Sequence, residues 1–297
     1  CMNLFTHMQL EGVLPDEVTY SSALTALCAE QNYSEGRCMH ARIIGCPYVL
    51  DIVVETAIIT MYSNCGHIDE ARMMFDALDG RNIGIWNAMI TGYTQHRSIK
   101  EAFLLFYELH AENITPNNVT FVTLLSICAD EVALNLGVLM HDQIISHGII
   151  LSLEIGNSLV DMYGKCGSVI TAQHVFDKLV IPDIVSWNVL MAGYVENGLA
   201  EKALECFHHL KHKNMSPTFV TYVWGMKACG NLGASARIYE LHADIIKIGI
   251  EENSFIGSTL IDGYVKYGSI TEARKVFDDL SLQTIVSVNV LIAGYTE

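Results

Sequence analysis

Basic residues, long apolar runs and recognisable catalytic motifs are all scarce in this sequence. Its 297 residues contain 17 Lys+Arg against 33 Asp+Glu, a formal net charge of −16. Nucleic-acid affinity usually draws on cationic contacts to phosphate, so this balance predicts weak binding to any polyanion. The lack of a run of about 18 uncharged apolar residues argues against a membrane span. Neither a glycine-rich phosphate loop nor a nucleophile elbow occurs, so we predict no catalytic centre and no cofactor.

The cysteines lack the spacing of a metal site. Nine are present without a CxxC pair, and Cys65 and Cys166 hold equivalent places in successive copies of a repeated stretch. Free, buried thiols in a reducing compartment are therefore expected. Three histidines also recur at a fixed spacing, His40, His141 and His242. This regularity favours a packing role over metal binding.

What the sequence does contain is one long repeat. The stretch at 162–176 (MYGKCGSVITAQHVF) has a copy 101 residues earlier, at 61–75, and another 101 residues later, at 263–277. A tyrosine, a glycine, an alanine and a phenylalanine keep their places in all three copies: Tyr62/Tyr163/Tyr264, Gly66/Gly167/Gly268, Ala71/Ala172/Ala273 and Phe75/Phe176/Phe277. Repetition at a fixed period indicates a repeat architecture.

The 101-residue period divides into helical pairs of 35, 31 and 35 residues. The complete repeats predicted are 17–51, 52–82, 83–117, 118–152, 153–183, 184–218, 219–253 and 254–284, with partial repeats at 1–16 and 285–297, all in one solenoid over 1–297. The chain begins at Cys1 without methionine, and both ends fall inside a repeat. We therefore expect a piece of a longer protein whose targeting segment lies elsewhere.

Each repeat carries two apolar helical stripes separated by a turn. In the repeat at 153–183, apolar residues recur every three or four positions on either side of Gly167: Leu159, Tyr163, Cys166, Val169, Ala172, Phe176 and Leu179. This spacing is typical of a buried helix face.

Helix starts and ends are marked as well. Capping boxes at Ser98-x-x-Glu101 and Ser269-x-x-Glu272 predict that helices start at these serines. Three left-handed helix ends are predicted, each followed three residues later by a proline. They are Gly12, Asn113 and Asn214, followed by Pro15, Pro116 and Pro217.

A single pair of helices cannot bury both stripes, whereas stacked pairs can. A fully buried Leu- or Phe-sized side chain contributes roughly 1.5–3 kcal/mol, so stacking is strongly favoured. The expected fold is all-α, a right-handed α-solenoid of helix-turn-helix repeats with a concave inner surface. Function should lie along that groove.

Three sets of residues carry a resemblance to a known family. They are Ile184-Val185-Ser186-Trp187-Asn188 with Gly193-Tyr194 and Asn197-Gly198; His141 with Ser146-His147-Gly148; and Met162-Tyr163-Gly164-Lys165-Cys166-Gly167 with Ala172 and Val175-Phe176-Asp177. With the repeat lengths, they resemble the P, L and S repeats of plant pentatricopeptide repeat proteins, over essentially the whole chain. The L repeats would be 17–51, 118–152 and 219–253, each followed by an S and a P repeat. Tetratricopeptide repeats keep a steadier period of about 34 residues and fit less well.

The resemblance implies that each repeat addresses about one base of single-stranded RNA. The residues responsible would be a polar residue near the start of the first helix and the last residue of the repeat. An unstacked base exposes its Watson–Crick edge to amide, hydroxyl and carboxylate groups, so such a pair is physically reasonable. The pairs are Ser21 with Asp51, Thr56 with Asn82, Asn87 with Asn117, Asn157 with Asp183, Asn188 with Thr218, and Ser258 with Thr284, and Asn289 begins another pair.

By the family's rule these pairs imply guanine, adenine, a pyrimidine, uracil, a pyrimidine and a purine, and Asn289 implies a further pyrimidine. Two L repeats have an apolar residue in place of the reader, Val122 with Ser152 and Val223 with Asn253. We expect these two repeats to act as spacers. The implied ligand, 5′ to 3′ from the N-terminal end, is G, A, pyrimidine, any, U, pyrimidine, any, purine, pyrimidine.

The second residue of several repeats resembles the apolar residues between which the family holds bases. These residues are Val53, Val185, Phe255 and Val286. A valine near a helix start can equally well pack in the core, so both interpretations stay open. Gly84 and Glu154 occupy the same place and cannot clamp a base as well.

The function implied by the resemblance is that of a sequence-specific single-stranded RNA-binding adaptor. It would resemble organellar factors that select sites for C-to-U RNA editing or related processing. The chain itself is then not an enzyme, and any deaminase lies outside it or acts in trans. Implied protein partners are that deaminase or multiple organellar RNA editing factor proteins, with no membrane, and the implied location is a mitochondrion or a chloroplast. The alternative, favoured by the acidity, is a protein-binding α-solenoid scaffold that uses the same groove for peptide.

Overall fold

The computed structural model describes residues 2–45, 51–250 and 253–296. Over these ranges it has eighteen α-helices and no strand. The first helices of the predicted repeats are α2 (Glu17–Ala29), α4 (Ile52–Asn64), α6 (Ile83–Gln95), α8 (Asn118–Asp130), α10 (Leu153–Lys165), α12 (Ile184–Glu196), α14 (Phe219–Leu232), α16 (Ser254–Lys266) and α18 (Ile285–Thr296). The second helices are α1 (Met2–Leu10), α3 (Tyr33–Ile44), α5 (Ile68–Asp76), α7 (Ile99–Ala111), α9 (Leu134–Ser146), α11 (Val169–Asp177), α13 (Ala200–His212), α15 (Ser235–Ile248) and α17 (Ile270–Asp279).

The chain forms two compact units. One comprises Cys1–Glu131 and Asp142–His147, and the other comprises Val132–His141 and Gly148–Glu297. The division falls inside the predicted repeat at 118–152, so α9 contributes residues to both units. Within each unit the helical hairpins follow one another in chain order, which confirms the predicted class of all-α, helix-turn-helix solenoid.

Successive first helices pack side by side in both units. In the first unit α2, α4, α6 and α8 pack in this way, and in the second unit α10, α12, α14, α16 and α18 do so. Apart from α9, the second helix of each complete hairpin packs against the first helix of its own repeat and of the next. Within the described part of each unit, no two second helices pack together. The first helices therefore form a continuous layer in each unit.

The predicted apolar stripe holds these layers together. In the repeat at 153–183, Leu159 and Tyr163 of α10 and Ala172 and Phe176 of α11 are all buried. Cys166, at the end of the same stripe, is partly exposed. The stripe is thus confirmed except at its edge, where the helix ends.

Two glycines allow α10 and α12 to cross closely. A Cβ atom on Gly164 would lie 3.1 Å from the Cα atom of Gly193, so a larger residue would push the helices apart. The Asn197 amide donates to the carbonyl oxygens of Gly164 and Gly193, at 2.8 and 2.7 Å. In the first unit the equivalent bond joins Nε2 of His96 to the carbonyl oxygen of Ser63 at 2.8 Å. Packing and hydrogen bonding together set the distance between neighbouring first helices.

The predicted helix ends are confirmed, whereas the predicted capping bonds are wrong. Gly12, Asn113 and Asn214 have φ values of 76°, 58° and 54°, in the left-handed region. Ser98 and Ser269 do begin α7 and α17, but neither side chain accepts a capping hydrogen bond. Their ψ of 70° departs from the extended backbone that points a serine oxygen at the first turn.

The three recurring histidines each bond a tyrosine of the following repeat. Nδ1 of His40 lies 2.9 Å from the Tyr62 hydroxyl, and the same pairing recurs at 2.9 and 2.8 Å. The other two pairs are His141 with Tyr163 and His242 with Tyr264. The predicted packing role is thus confirmed, with a hydrogen bond that joins each predicted L repeat to the S repeat after it.

We predict that acid destabilises the protein partly through His40. Burial lowers the pKa of His40 below its ordinary value of 6.5. At pH values below 6.5 the unfolded chain therefore binds a proton that the folded chain resists, and the free energy of unfolding falls until the folded pKa is passed. Urea unfolding followed by circular dichroism at pH 7.5 and 5.5 should show a smaller pH-dependent loss for His40→Gln than for the wild type.

The matched control for this prediction is His212→Gln. His212 is exposed at the end of α13, so its replacement should leave the wild-type difference between the two pH values in place. Equal losses in the wild type and in His40→Gln would contradict the assignment.

Candidate nucleic-acid interface

In each unit, the predicted base-reading residues lie on the layer of first helices or at the residue that precedes one of those helices. The fifth residues of the repeats sit in the first two turns of the first helices: Ser21, Thr56, Asn87, Asn157, Asn188, Ser258 and Asn289. The last residue of each repeat immediately precedes the next first helix. Because neighbouring first helices pack together, both members of a pair belong to one surface.

The last residue of a repeat is also the N-cap of the following helix. Side-chain oxygens of Asp51, Asn82, Asn117 and Asp183 accept hydrogen bonds from backbone N–H groups of the first turn. Oγ1 of Thr284 accepts from the N–H of Ser287 at 3.2 Å. Capping of this kind is worth about 0.5–2 kcal/mol per helix. This capping role explains why a small polar residue stands at the last place of a repeat. The sequence analysis did not predict the role.

Asn87, Asn117 and Thr120 form one hydrogen-bonded group. Nδ2 of Asn87 donates to Oδ1 of Asn117 at 3.0 Å, and the Thr120 hydroxyl donates to Oδ1 of Asn87 at 2.7 Å. The backbone N–H of Thr120 also donates to Oδ1 of Asn117, at 3.2 Å. Both amide oxygens are thus engaged within the protein. The hydrogen-bonding capacity left over is mainly amide N–H donors, one on Asn87 and two on Asn117, with one further lone pair on Oδ1 of Asn87.

The second unit leaves two amide oxygens at these places unsatisfied. Nδ2 of Asn188 donates to Oγ1 of Thr218 at 3.4 Å. Oδ1 of Asn188 and Oδ1 of Asn157 are buried without a hydrogen-bond partner in the described structure. Thr221 stands where Thr120 stands in the first unit, but its hydroxyl bonds Thr218 instead. A buried acceptor left in this state costs about 1–3 kcal/mol, which an incoming donor would relieve.

Asp183 keeps its charge at neutral pH. Burial raises the pKa of Asp183, but hydrogen bonds from Ser186, from the Val185 backbone and from the Asn157 side chain outweigh burial, so the pKa lies below the ordinary value. The Asn157 amide is thereby drawn towards the carboxylate. An ionised carboxylate can only accept hydrogen bonds, so this pair favours a ligand that carries donors.

The three hydroxyl-bearing readers behave differently from the asparagines. Ser21, Thr56 and Ser258 donate to carbonyl oxygens of their own helices, at 3.1, 2.6 and 2.8 Å. In the described structure no hydrogen bond joins any of them to the last residue of its repeat. Their oxygens remain available as acceptors. Asn289 is exposed on α18.

In both units, several second residues of the repeats are exposed apolar side chains. The exposed fractions are 54, 50, 58 and 56% for Val53, Val185, Phe255 and Val286. Core packing, the alternative interpretation, does not account for side chains that are at least half exposed. Two further valines at the same place are exposed, and sequence reasoning had passed over them although they lie 101 residues apart: Val18 and Val119.

A cavity of about 460 Å³ opens between α2 and α4. Thr56 and Asn82, a predicted reading pair, line it together with Val53. Ala57 and Thr60, the sixth and ninth residues of α4, line it as well. The second, fifth, sixth and ninth places of a first helix therefore face the same space.

Carboxylates outnumber cations on the first helices. The acidic residues there are Glu17, Glu55, Asp130, Glu154, Asp161, Glu196 and Asp262, and the basic ones are Lys165, Lys227 and Lys266. Asp161 pairs with Lys165 at 2.9 Å and Asp262 with Lys266 at 2.8 Å. Phosphate groups would find few free cations on this surface.

Membrane-spanning helices and metal-ligand clusters are both absent from residues 2–45, 51–250 and 253–296. None of the helices there has the length and apolarity needed to cross a membrane. In the same ranges, no three His, Cys, Asp or Glu side chains cluster as metal ligands.

Family profiles match the chain at most of its repeats. A profile of the PPR repeat family matches residues 81–130 and 182–231. A profile of the PPR repeat matches residues 56–83, 157–180 and 258–282. Together the two cover more than half of the chain.

Curated relatives match along nearly the whole chain. Pentatricopeptide repeat-containing protein At1g11290, chloroplastic, from Arabidopsis thaliana, is 32% identical over 96% of this chain and 35% of its own length. Pentatricopeptide repeat-containing protein At3g09040, mitochondrial, from the same plant, is 32% identical over 99% of this chain and 28% of its own length. The chain thus spans about a third of each relative.

Two solved structures share the fold. The pentatricopeptide repeat protein PPR10 from maize superposes with a TM-score of 0.70 at 20% identity, over 98% of this chain and 42% of that one. PPR10 in complex with an 18-nt psaJ RNA element superposes with a TM-score of 0.69 at 20% identity, over 99% and 50%. The likeness establishes the helical solenoid fold.

We predict that Thr120→Val destabilises the protein by about 1–3 kcal/mol. Thr120 is fully buried, and its hydroxyl donates to Asn87 and accepts from the backbone N–H of Asn117. Valine keeps the shape of threonine but leaves those groups without partners. Thr123→Val on the same helix is the control, because Thr123 is partly exposed. Urea unfolding measures both, and equal stability of the two variants would contradict the prediction.

Proposed function

Because the chain belongs to the pentatricopeptide repeat family, we propose that it binds single-stranded RNA on the layer of first helices in each unit, about one base per repeat. The observation that carries the proposal is the meeting of two polar side chains at one surface. The fifth residue of one repeat lies beside the N-cap of the next first helix, as Asn87 lies beside Asn117 at 3.0 Å. Such a pair presents a small hydrogen-bonding pattern to one base edge.

The polar groups left over suit the bases that the family's rule assigns. Asn87 and Asn117 offer amide donors, and a pyrimidine carries a carbonyl acceptor at its edge. Asp183 offers an acceptor that remains charged, and uracil carries an N–H donor. This agreement supports a pyrimidine at repeat 83–117 and uracil at repeat 153–183.

Apolar contact would hold each base in place. Val53, Val185, Phe255 and Val286 stand exposed at the second place of their repeats. A base inserted between two successive second-place residues would cover this apolar surface, which is favourable at roughly 25 cal/mol per Å². Glycine and glutamate at this place in two repeats predict weaker clamping there.

The acidic first helices imply that base contacts, more than phosphate contacts, supply the affinity of this chain. Asp161 and Asp262 already neutralise two of the three lysines on the layer. Repeats elsewhere in a longer protein would supply further contacts, since the chain spans about a third of the two relatives described above.

The wider role that we propose is site recognition on organellar transcripts. In this role the chain, with its P, L and S repeats, places a cytidine for a deaminase that lies outside these residues, or serves related processing. Multiple organellar RNA editing factor proteins are the proposed protein partners. The names of the relatives, one chloroplastic and one mitochondrial, support an organellar location.

A second candidate function is peptide binding by the same layer of helices. The observation that favours it is the excess of carboxylates on the first helices, which suits a basic peptide better than a polyanion. Failure of the wild-type chain to retain any short RNA at low salt, with retention of a basic peptide, would favour this function.

We predict that the double substitution Asn157→Thr with Asp183→Asn changes the preferred base at one position from uracil to adenine. The new pair matches Thr56 with Asn82, and both asparagine and aspartate can cap α12. Selection from a pool of short single-stranded RNAs, followed by sequencing, should show the change at the fifth base of the implied pattern alone.

The control for the exchange is Ser152→Asn. Its repeat carries apolar Val122 at the reading place, and asparagine still caps α10, so the preferred sequence should stay the same. An unchanged preference in the double variant, or a shift at several bases, would argue against base reading by this pair.

We also predict a shallow dependence of RNA affinity on salt. Among the three lysines on the first helices of the described structure, Lys227 alone has no carboxylate within ion-pair distance. With about one phosphate contact, the logarithm of the association constant should fall with the logarithm of salt concentration at a slope of about −0.7. Fluorescence anisotropy with a labelled nonamer between 50 and 300 mM salt measures the slope. A slope steeper than about −3 would show that phosphate contacts dominate.

A further inference from the structure

The predicted repeat at 219–253 lacks a base reader, but it has an aromatic residue one place further on. Val223, at the reading place, is 4% exposed and carries no polar group. Trp224 follows it and is partly exposed on α14. The other two tryptophans of the chain, Trp86 and Trp187, are 0 and 7% exposed and belong to the core.

Trp224 of the second unit occupies a helix position that, in the first unit, lines the cavity between α2 and α4. It is the sixth residue of α14, as Ala57 is the sixth residue of α4. Ala57 lines the cavity between α2 and α4, together with Thr60 at the ninth place. In the other first helices the sixth place holds only small side chains: Ser22, Ala57, Ala88, Thr123, Ser158, Val189, Thr259 and Val290. Trp224 is therefore the largest side chain at the sixth place of any first helix.

A free cation accompanies the indole. Lys227, at the ninth place of α14, holds its ammonium 4.4 Å from the centre of the Trp224 ring. Lys165 and Lys266 on other first helices are paired with aspartates, whereas no carboxylate of the described structure pairs with Lys227. The combination of an aromatic face and an uncompensated cation is what single-stranded nucleic acid requires for sequence-independent contact.

We propose that Trp224 and Lys227 form a base-stacking subsite that accepts any nucleobase, with Lys227 contacting the adjacent phosphate. The proposal rests on the proposed RNA-binding function and deepens it. The repeat at 219–253 is then a binding repeat without base preference. Stacking needs only the flat face of a base, which all four bases share, so affinity rises at this place while selectivity does not.

The test uses nonamers of the implied pattern in which one base is removed. The seventh nucleotide faces the repeat at 219–253, and the fourth faces the repeat at 118–152, which has Thr123 at the sixth place. We expect an abasic seventh nucleotide to weaken binding to the wild-type chain about 10-fold, whichever base it replaces. An abasic fourth nucleotide should cost much less.

Variants and fluorescence connect the effect to the indole. Trp224→Ala should bind the intact nonamer about as weakly as the wild type binds the abasic one, while Trp224→Phe should keep most of the affinity. Intact RNA should quench the tryptophan emission of the wild type but not that of Trp224→Phe, in which only the two buried tryptophans remain. Circular dichroism and urea unfolding check that each variant is folded, and Lys227→Gln removes the cation while keeping the indole.

The outcomes separate this inference from the proposed function. If the wild type binds the intact nonamer but tolerates the abasic seventh nucleotide, with no quenching, the subsite is overturned and RNA binding stands. If the wild type binds no RNA at low salt, both proposals are overturned. The subsite is supported if removal of the seventh base weakens binding to the wild type but does not weaken binding to Trp224→Ala.

Discussion

The close approach of successive first helices is the constraint on which the surface depends. Small residues at the crossing, such as Gly164 against Gly193, permit it, and the bonds of Asn197 and His96 to the neighbouring helix hold it. Because the helices are this close, the residue that begins one helix reaches a side chain of the previous one. A larger distance between neighbouring first helices would separate Asn87 from Asn117 and break the hydrogen bond between them.

Folding and recognition make compatible demands at the last residue of each repeat. A helix start requires a short side chain with an acceptor oxygen, and asparagine, aspartate, serine and threonine all supply one. The choice among them changes the stability little but changes the donors and acceptors that remain. Asn117 leaves amide donors, whereas Asp183 leaves a charged acceptor. The capping position can therefore vary between repeats without weakening the scaffold, as the proposed discrimination between bases requires.

The repeat period was sufficient to predict much of the fold. A strict spacing of 101 residues fixed the helical hairpins, the left-handed ends at Asn113 and Asn214, and a structural role for His40. Its partner Tyr62 was not predictable, since contacts between repeats depend on how the hairpins pack. The capping boxes failed at Ser98 and Ser269 because the tight turn into each second helix imposes a backbone angle that four-residue motifs do not encode.

The state of each predicted site residue also required coordinates. Sequence alone could not show that the Asn87 oxygen is engaged while the Asn188 oxygen is buried without a partner. The hydroxyl of Thr120 bonds both Asn87 and the cap residue Asn117, whereas the hydroxyl of Thr221 bonds only the cap residue Thr218 among the bonds of the described structure. Nor could composition distinguish an exposed valine at a helix start from a buried one, whereas the structure shows that Val53 and Val185 are exposed.

The histidine–tyrosine bond has a consequence for how such a chain can lengthen. It joins His40 with Tyr62, His141 with Tyr163 and His242 with Tyr264, so it recurs at intervals of 101 residues. An insertion or deletion of 101 residues regenerates every such bond. One of another length between His141 and Tyr163 would leave a polar group beside a mismatched neighbour. A 101-residue segment is therefore a unit that can be inserted or removed with every histidine–tyrosine bond intact.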